Sequence, residues 1–383
     1  MDFLFFIGRA HELAFAELSS VVSARFPEAV LKKVTDTTIL ISGLTLEAVQ
    51  ALQAILGGTI KIVQVEELLG DVSADDLERS CAAILSRLSG EKKKISFGVA
   101  EIGRDTLPAV KLQTIKQILE ESDIKARFVE GVRQGLGASV LVHQNVEECV
   151  IFRADKKIYV GFTVSVQNID DWTKRDRMKP ASDKKHGMLP PKVARMLVNL
   201  ALPAESTGKR LLDPFCGTGT VVLEALMLGV EGIGSDLRVE AAGQTQKNAQ
   251  WLQSAYQIET PFRAVTADAT HVDEIILGGK VDAIACEGYL GQLTPRPGAV
   301  PNIFKGLEKL YLGAFKQWTK VLQPGSRIAI ALPKITIKNT VYSLSPLVDR
   351  LSEHGYNTLL APMIYDRPGA ITQREIFVLE YKG

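Results

Sequence analysis

The chain has 383 residues, of which 46% are hydrophobic and 23% charged. This length and composition predict two or three globular domains that can bury real cores. The formal net charge is only +1, so any surface that attracts nucleic acid must be local. The four cysteines form no C-x-x-C pair, which disfavours a zinc site and a disulfide framework and favours a reducing cytoplasm.

No apolar run approaches the ~18 residues of a membrane span. The N-terminus, Met1–Gly8, lacks the basic start and the long apolar region of a signal peptide. The five histidines are scattered, without metal-ligand spacing. We therefore expect a cytoplasmic protein without a metal or a membrane partner, and no feature indicates an oligomer.

Residues 1–70 alternate strand and helix patterns. The predicted elements are a strand over 3–8, a helix over 10–26, strands over 30–34 and 38–42, a helix over 46–56 and a strand over 60–65. This βαββαβ order is the ferredoxin-like motif.

Residues 71–168 repeat the mixture of helices and strands. We predict helices over 74–88 and 108–121, and strands over 95–99, 126–129, 139–143, 149–153 and 158–166. The order of these elements, together with Ile95-Ser96-Phe97-Gly98 and the late strand from Ile158 to Thr163, resembles a THUMP domain. That resemblance implies an RNA-binding module of tRNA-modifying enzymes.

The segment 169–195 is a basic bridge. From Trp172 to Arg195 it has eight Lys or Arg and two Asp, a local charge of +6. That density is typical of phosphate contacts, although a solvated linker has a similar composition. The predicted RNA contacts are Lys174, Arg175, Arg177 and Lys179. His186 is a weaker candidate for a phosphate contact.

Residues 196–383 predict a doubly wound sheet. Strands are expected over 210–213, 232–236, 262–266, 281–286 and 327–332, followed by an antiparallel pair over 357–364 and 375–381. In such a sheet the ligand lies beyond the carboxyl ends of the strands. Acidic residues follow several of these predicted ends.

The first of these ends is the run Asp213-Pro214-Phe215-Cys216-Gly217-Thr218-Gly219-Thr220, a strand that enters a glycine turn before a helix. Glycines at such a turn let a ligand approach the backbone, and the helix offers free N–H groups. Asp236 ends the next strand, where a carboxylate binds ribose hydroxyls. A dinucleotide site requires a third glycine, but Val222 stands there. The alternative is a strand–turn–helix connection that binds no ligand. It would not explain why the acids and the glycines occur together.

The run from Asp213 to Thr220 resembles motif I of the class I S-adenosylmethionine-dependent methyltransferases, in the branch that acts on exocyclic amines of nucleobases. The resemblance implies that Asp213 faces the methionine amino group and that Asp268, at the third strand end, lies beside the adenine amino group. Each acid alone could instead be a helix N-cap. The predicted cofactor-binding residues are Asp213, Pro214, Cys216, Gly217, Gly219, Asp236 and Asp268.

The bridge resembles the segment that precedes the catalytic domain in THUMP-containing tRNA guanosine N2-methyltransferases. The similarity rests on Arg175-Asp176, on the following Pro180, and then on Gly187-Met188-Leu189-Pro190-Pro191-Lys192. In that family the segment helps to bind the cofactor. The resemblance therefore adds Met188 and Pro190 to the predicted cofactor site.

The fourth strand end departs from the family. Where relatives have Asp-Pro-Pro-Tyr-Gly, this chain has Glu287-Gly288-Tyr289-Leu290-Gly291. In the family motif the carboxylate and a proline carbonyl accept hydrogen bonds from the amine, and the ring stacks on the flipped base. We therefore expect Glu287 to be the acceptor and Tyr289 to be the stacking platform, as the catalytic residues. The alternative is that catalysis has been lost on a scaffold that still binds cofactor and RNA.

These observations predict an α/β protein. Its four segments are a ferredoxin-like domain (1–70), a THUMP-like RNA-binding domain (71–168), a basic linker that covers the cofactor (169–195), and a C-terminal class I, Rossmann-like methyltransferase domain (196–383). The resemblance implies transfer of methyl from S-adenosylmethionine to the N2 amine of a guanosine in tRNA. Two alternatives stay open: an adenine N6 amino-methyltransferase on nucleic acid, and a non-catalytic or attenuated RNA-binding relative.

Overall fold

The computed structural model describes residues 1–103, 107–131, 135–182, 188–276, 279–292, 294–367 and 369–383. Within these ranges the backbone forms two compact units. The first comprises residues 1–8, 28–54 and 59–171, and the second comprises residues 9–27, 55–58 and 172–383.

The elements of the N-terminal part confirm most of the predicted pattern. In chain order they are β1 (Asp2–Ile7), α1 (His11–Arg25), β2 (Val30–Thr35), β3 (Thr38–Ser42), α2 (Leu46–Ile55), β4 (Thr59–Leu69), α3 (Ala74–Ser89), β5 (Lys94–Gly103), α4 (Leu112–Glu121), β6 (Lys125–Phe128), α5 (Ala138–His143), β7 (Glu147–Ala154) and β8 (Lys157–Val166). The eight strands form one sheet in the order β2-β3-β1-β4-β8-β7-β5-β6.

This sheet joins the strands of the predicted 1–70 and 71–168 segments, because β4 pairs antiparallel with β8. Clusters of buried apolar side chains lie in the first unit. One includes Leu77, Phe97 and Ile151, and another includes Leu4, Val63 and Phe152. Cys81 and Cys149 are free thiols in the first cluster, with 3.1 Å between their sulfur atoms. The division of this region into a ferredoxin-like and a THUMP-like domain stays a prediction.

The predicted strand over 139–143 is wrong, because these residues form helix α5. The carbonyl of Gly137 accepts hydrogen bonds from the N–H groups of Val140 and Leu141, which starts a helical turn. Leu141 then packs against Leu136 and Val146 in a small cluster. Short apolar runs fit a strand and a buried helical turn equally well, so packing decides between them.

The C-terminal part begins with a helix inside the predicted bridge. In chain order its elements are α6 (Ile169–Arg177), α7 (Pro191–Ala201), β9 (Arg210–Asp213), α8 (Thr220–Leu226), β10 (Glu231–Asp236), α9 (Val239–Tyr256), β11 (Phe262–Thr266), β12 (Val281–Glu287), α10 (Val300–Trp318), β13 (Leu322–Ile337), β14 (Thr340–Tyr342), α11 (Ser345–Arg350), β15 (Tyr356–Thr358), β16 (Met363–Tyr365) and β17 (Thr372–Tyr381).

The second unit contains a doubly wound sheet with the order β11-β10-β9-β12-β13-β17-β15. The first five strands are parallel, and β17 is antiparallel to β13, as predicted. The expected strand over 357–364 is broken into β15 and β16. Pro362 lies in the break, and proline has no N–H for a strand ladder.

Candidate active site

The site lies at the point where the strand order of the doubly wound sheet reverses. The chain runs from β9 outward to β11 and then returns to the other side of β9 with β12. Ligands of open α/β sheets bind beyond the carboxyl ends of the strands at such a point. A cavity of about 900 Å³ opens there. Its lining includes Met188, Asp213, Pro214, Cys216, Gly217, Asp236, Asp268, Glu287, Gly288, Tyr289 and Leu290.

The glycine turn adopts backbone conformations that only glycine takes readily. Gly217 and Gly219 have φ angles of +54° and +86°. Gly219 precedes α8 directly, and a Cβ atom there would lie 2.8 Å from the Thr245 methyl group. Gly219 does not line the cavity, so its role is conformational. Gly217 does line the cavity, and the space around its Cα is open.

Asp236 lies at the end of β10, and backbone donors hold its carboxylate. The N–H of Gly217 donates to Oδ2 at 3.0 Å, and the N–H of Arg238 donates to Oδ1 at 3.0 Å. Each carboxylate oxygen can accept a further hydrogen bond. The side chain therefore lies in a fixed orientation at the cavity wall, as binding of a diol requires.

Asp213 is the most deeply buried acid of the site, at 2% exposure. Burial raises the pKa of this carboxyl well above its ordinary value of 3.8, while the Phe215 N–H, at 3.1 Å, opposes the shift. The negative charges of Asp236 and Glu287 raise the pKa further. Carboxylates that repel one another around a cavity favour a cationic ligand.

Asp268 follows β11 and also lines the cavity. Its Oδ1 accepts hydrogen bonds from the Thr270 N–H and from the Thr270 hydroxyl, both at 2.8 Å. The Thr270 N–H is the main reason why the pKa of Asp268 is lowered. The carboxylate therefore stays an acceptor at the cavity edge.

Glu287 ends β12, and its side chain is 19% exposed. Its Oε1 accepts a hydrogen bond from Nε of Arg374, an arginine on β17 that is only 3% exposed. The turn that follows β12 is held in place by a hydrogen bond, because the buried Tyr311 hydroxyl donates to the Tyr289 carbonyl at 2.8 Å. The Tyr289 side chain is 56% exposed at the cavity, whereas Leu290 is buried. The exposed ring is therefore at position 289.

The bridge contributes to both the cavity and the protein interior. Met188 lines the cavity, and its carbonyl accepts a hydrogen bond from Arg367. Pro190 is the N-cap of α7 and does not line the cavity. The bridge residues Asp183, Lys184, Lys185, His186 and Gly187 lie outside the described part of the chain.

Two of the four predicted RNA contacts are inside the second unit. Arg175 is 2% exposed, and its Nε lies 2.7 Å from Glu224, which is also buried. Lys179 is buried as well, and its ammonium donates to the Thr220 hydroxyl at 3.1 Å. Both side chains are buried and already bonded inside the protein, so we exclude them from the RNA surface. They hold the bridge against helix α8 behind the glycine turn.

The other two predicted RNA contacts differ in exposure. Arg177 is exposed. Lys174 is half-buried, with its ammonium 4.5 Å from the centre of the Tyr256 ring and bonded to the Ala255 carbonyl. Arg177 is therefore the better placed of the two for a phosphate.

Sequence reasoning missed the roles of Arg374 and Tyr311. Only the fold places Arg374 on Glu287, which lies 87 positions earlier in the chain. Tyr311 is one aromatic residue among many on the apolar face of α10. No local spacing distinguishes either residue.

Among the described helices, none combines the length and the hydrophobicity that crossing a bilayer requires. Within the same residues, no group of three or more His, Cys, Asp or Glu is arranged to hold a metal ion.

The C-terminal part of the chain matches known proteins. Residues 180–355 match the family model described as UPF0020, RMKL-like, methyltransferase domain. A tRNA (guanine(10)-N2)-dimethyltransferase of Methanothermobacter thermautotrophicus is 34% identical over 147 residues, which cover 38% of this chain and 39% of that protein. A probable tRNA (guanine(10)-N2)-dimethyltransferase of Methanothermococcus thermolithotrophicus is 30% identical over 116 residues, or 30% of this chain and 70% of that sequence.

Solved structures share the fold over the whole chain. TrmN of Thermus thermophilus has a TM-score of 0.58 at 19% identity, and the match covers 100% of both chains. A possible methylase of Clostridium difficile has a TM-score of 0.53 at 13% identity, covering 100% of this chain and 98% of the other. These likenesses establish a Rossmann-like methyltransferase fold. With the family model and the relatives of similar sequence, they show that the chain belongs to the methyltransferase family that includes the tRNA (guanine(10)-N2)-dimethyltransferases.

Proposed function

We propose that the protein transfers a methyl group from S-adenosylmethionine to the N2 amine of a guanosine in tRNA. The observation that carries the proposal is the ring of carboxylates at successive strand ends, Asp213, Asp236, Asp268 and Glu287, around one cavity. The chain spans about two fifths of the length of the Methanothermobacter relative that it matches. The names of the matched relatives support guanosine 10 as the target.

The cavity residues fit the cofactor. Asp236 offers acceptors to two ribose hydroxyls, and Asp268 offers an acceptor to the adenine amine. Asp213 lies deeper, where a buried carboxyl with a raised pKa suits an ammonium or sulfonium charge. When bound, S-adenosylmethionine supplies an electrophilic methyl group. The protein's own task is then mainly to position the target amine.

The target end of the cavity is formed by the turn that follows β12. Glu287 accepts a hydrogen bond from the amine and stabilises the positive charge that develops on its nitrogen. The exposed Tyr289 ring is a stacking surface for a base that has left its helix. The Tyr311 hydroxyl keeps this turn in place through the Tyr289 carbonyl. The shifted aromatic residue therefore serves as the family's tyrosine does.

RNA recognition is also part of the proposal. The exposed Arg177 and the half-buried Lys174 lie on α6, which leads into the methyltransferase unit. Phosphate contacts from such cations supply affinity without base specificity. We assign the remaining RNA binding to the THUMP-like residues 71–168. The proposed substrate is tRNA in the cytoplasm.

The test uses purified protein, an unmodified tRNA transcript and S-adenosylmethionine, with mass spectrometry of the digested nucleosides. The expected product is N2-methylguanosine or N2,N2-dimethylguanosine, and a transcript with adenosine at position 10 should give neither. Formation of N6-methyladenosine would favour the adenine alternative. Binding of cofactor and tRNA without any transfer would favour the non-catalytic alternative.

A further inference from the structure

The acid at the target end has a buried arginine as its partner. Glu287 is at the end of β12, and the Arg374 guanidinium that bonds to its Oε1 comes from β17. A guanidinium stays protonated in proteins, even when it is buried. The positive charge of Arg374 therefore lies beside one oxygen of the Glu287 carboxylate. Glu287 also borders the cavity.

An ionised carboxylate only accepts hydrogen bonds, and it has about four acceptor positions. Arg374 uses one of them on Oε1. Enough positions are left for two adjacent donors from a ligand. An ionised carboxylate cannot donate a hydrogen bond, because only a protonated carboxyl has an O–H.

The nucleobases differ in what lies beside the exocyclic amine. In guanine the N2 amine is next to the N1–H, so two donors lie side by side. In adenine and cytosine the amine is next to an unprotonated ring nitrogen, which is an acceptor. A fixed anion opposite that acceptor leaves both groups unpaired in a desolvated site, which is costly.

We propose that Glu287 is a specificity-determining residue that accepts hydrogen bonds from both N1–H and N2–H of guanine, and that Arg374 is the positioning residue that holds its carboxylate in place. The inference rests on the proposed function and deepens it, since it explains why guanine is chosen over other bases with an amine.

The first experiment changes the base and leaves the protein intact. A tRNA assembled from synthetic pieces carries guanosine, 2-aminopurine or inosine at position 10. 2-Aminopurine keeps the amine but has an acceptor at N1, whereas inosine keeps N1–H and lacks the amine. We expect kcat/KM on 2-aminopurine to be at least about tenfold below guanosine, the loss typical of a charged hydrogen bond. Equal rates on the two bases would overturn the proposal. Inosine reports background transfer only.

The second experiment separates N1 recognition from loss of the guanine O6 atom, which 2-aminopurine also lacks. The amide in Glu287→Gln has one acceptor and one donor, the complement of an amine beside an unprotonated nitrogen. The ratio of kcat/KM on guanosine to that on 2-aminopurine should therefore fall at least tenfold in Glu287→Gln. Because O6 is absent in both measurements on 2-aminopurine, an unchanged ratio would overturn the assignment of Glu287.

The third experiment tests Arg374. Arg374→Gln should lower the single-turnover rate on guanosine about tenfold or more and leave cofactor affinity within about twofold. Arg374→Lys should recover part of the rate because it restores the charge. In the Glu287→Gln background, Arg374→Gln should cost no further rate. Independent losses from the two changes would overturn the positioning role. Thermal unfolding checks that each variant is folded.

A matched control is available in an ion pair that shares strand β17. Lys334 on β13 forms an ion pair with Glu375 on β17, at 2.9 Å. Lys334→Gln breaks a similar pair that does not line the cavity, and it should leave base selectivity unchanged. If wild-type protein methylates no tRNA at all, the proposed function fails. If it methylates guanosine and 2-aminopurine equally, only the present inference fails.

Discussion

The Tyr311 hydroxyl occupies the space that a Cβ atom on Gly288 would need, and the ring carbon Cζ would lie only 3.0 Å from that atom. The Gly288 N–H also donates to the Ala331 carbonyl, at 3.0 Å. A proline at 288, as in the family's Asp-Pro-Pro-Tyr, would clash with the tyrosine and lose this hydrogen bond. The Glu-Gly-Tyr-Leu sequence is therefore matched to its surroundings.

We predict that Gly288→Ala lowers the free energy of unfolding by about 1–3 kcal/mol, because the added methyl group overpacks a buried site. Tyr311→Phe removes the hydroxyl and its bond to Tyr289, at a cost of about 1 kcal/mol. The double variant should lose less than the sum, since the hydroxyl is the main obstacle. Urea unfolding of all four proteins measures the coupling. Strict additivity would contradict the packing argument.

A second prediction concerns Asp236. Asp236→Ala should weaken S-adenosylmethionine binding about tenfold to a hundredfold, since charged hydrogen bonds are worth about 1.5–3 kcal/mol. Isothermal titration calorimetry measures the affinity. Asp349→Ala, at an exposed position away from the cavity lining, is the control. A folded Asp236→Ala protein with wild-type affinity would remove Asp236 from the cofactor site.

A third prediction follows from the raised pKa of Asp213. Binding a cation favours the ionised carboxylate, so binding should release a proton wherever free Asp213 is still protonated. Affinity for S-adenosylmethionine should therefore rise with pH above the ordinary carboxyl value of 3.8, by up to about tenfold per unit, and level off once Asp213 has ionised. Asp213→Asn should flatten this dependence. Calorimetry in buffers of different ionisation enthalpy counts the protons, and no proton release in wild-type protein would contradict the prediction.

A fourth prediction concerns Glu17 on α1, which is completely buried. Its carboxylate accepts from the N–H groups of Gly57 and Gly58, each at 2.8 Å, and from the Asn199 amide at 2.6 Å. Burial outweighs these bonds and raises the pKa of Glu17 from 4.5 to about 7. The native state then holds a proton that the unfolded chain has lost, so stability should fall as pH rises from about 4.5 to about 7.

The size of this loss is about 3 kcal/mol, because each pKa unit corresponds to about 1.4 kcal/mol. Glu17→Gln cannot ionise, so the difference in unfolding free energy between wild type and variant should change by this amount across the interval. Chemical denaturation at several pH values measures it. A difference that is constant with pH would show that Glu17 keeps an ordinary pKa.

A fifth prediction compares two arginines two positions apart on α6. Arg177→Ala should weaken tRNA binding and reduce the slope of log affinity against log salt concentration by about 1. Arg175→Ala should instead lower the unfolding free energy by about 1.5–3 kcal/mol, because the buried Glu224 loses one charged hydrogen bond while it keeps Arg195. Filter binding over a salt series and urea unfolding give the two readouts. If Arg175→Ala weakened tRNA binding and Arg177→Ala lowered stability, burial would not separate the RNA contact from the structural residue.

Local sequence was sufficient for most strands of the doubly wound half. The glycine turn at 217 and 219 and the apolar strands follow from the period and turn chemistry of neighbouring residues. These signals are local, because a strand, a tight turn and a helix N-terminus each depend on residues within a few positions. The cofactor roles of Asp213 and Asp268 were implied by the family resemblance. The carboxyl-end rule then brings the acids together without knowledge of side-chain packing.

The tertiary structure decided the rest. The density of basic residues predicted that Arg175 and Lys179 contact RNA, but only the fold shows both buried beside α8. Arg175 is ion-paired with Glu224 there, and Lys179 donates to the Thr220 hydroxyl. Arg374 meets Glu287, and Tyr311 meets Gly288, through strands and helices that are distant in the chain. A charged residue has the same local pattern whether it faces solvent or a buried partner. Its role depends on which element packs against it, and that is a property of the whole fold.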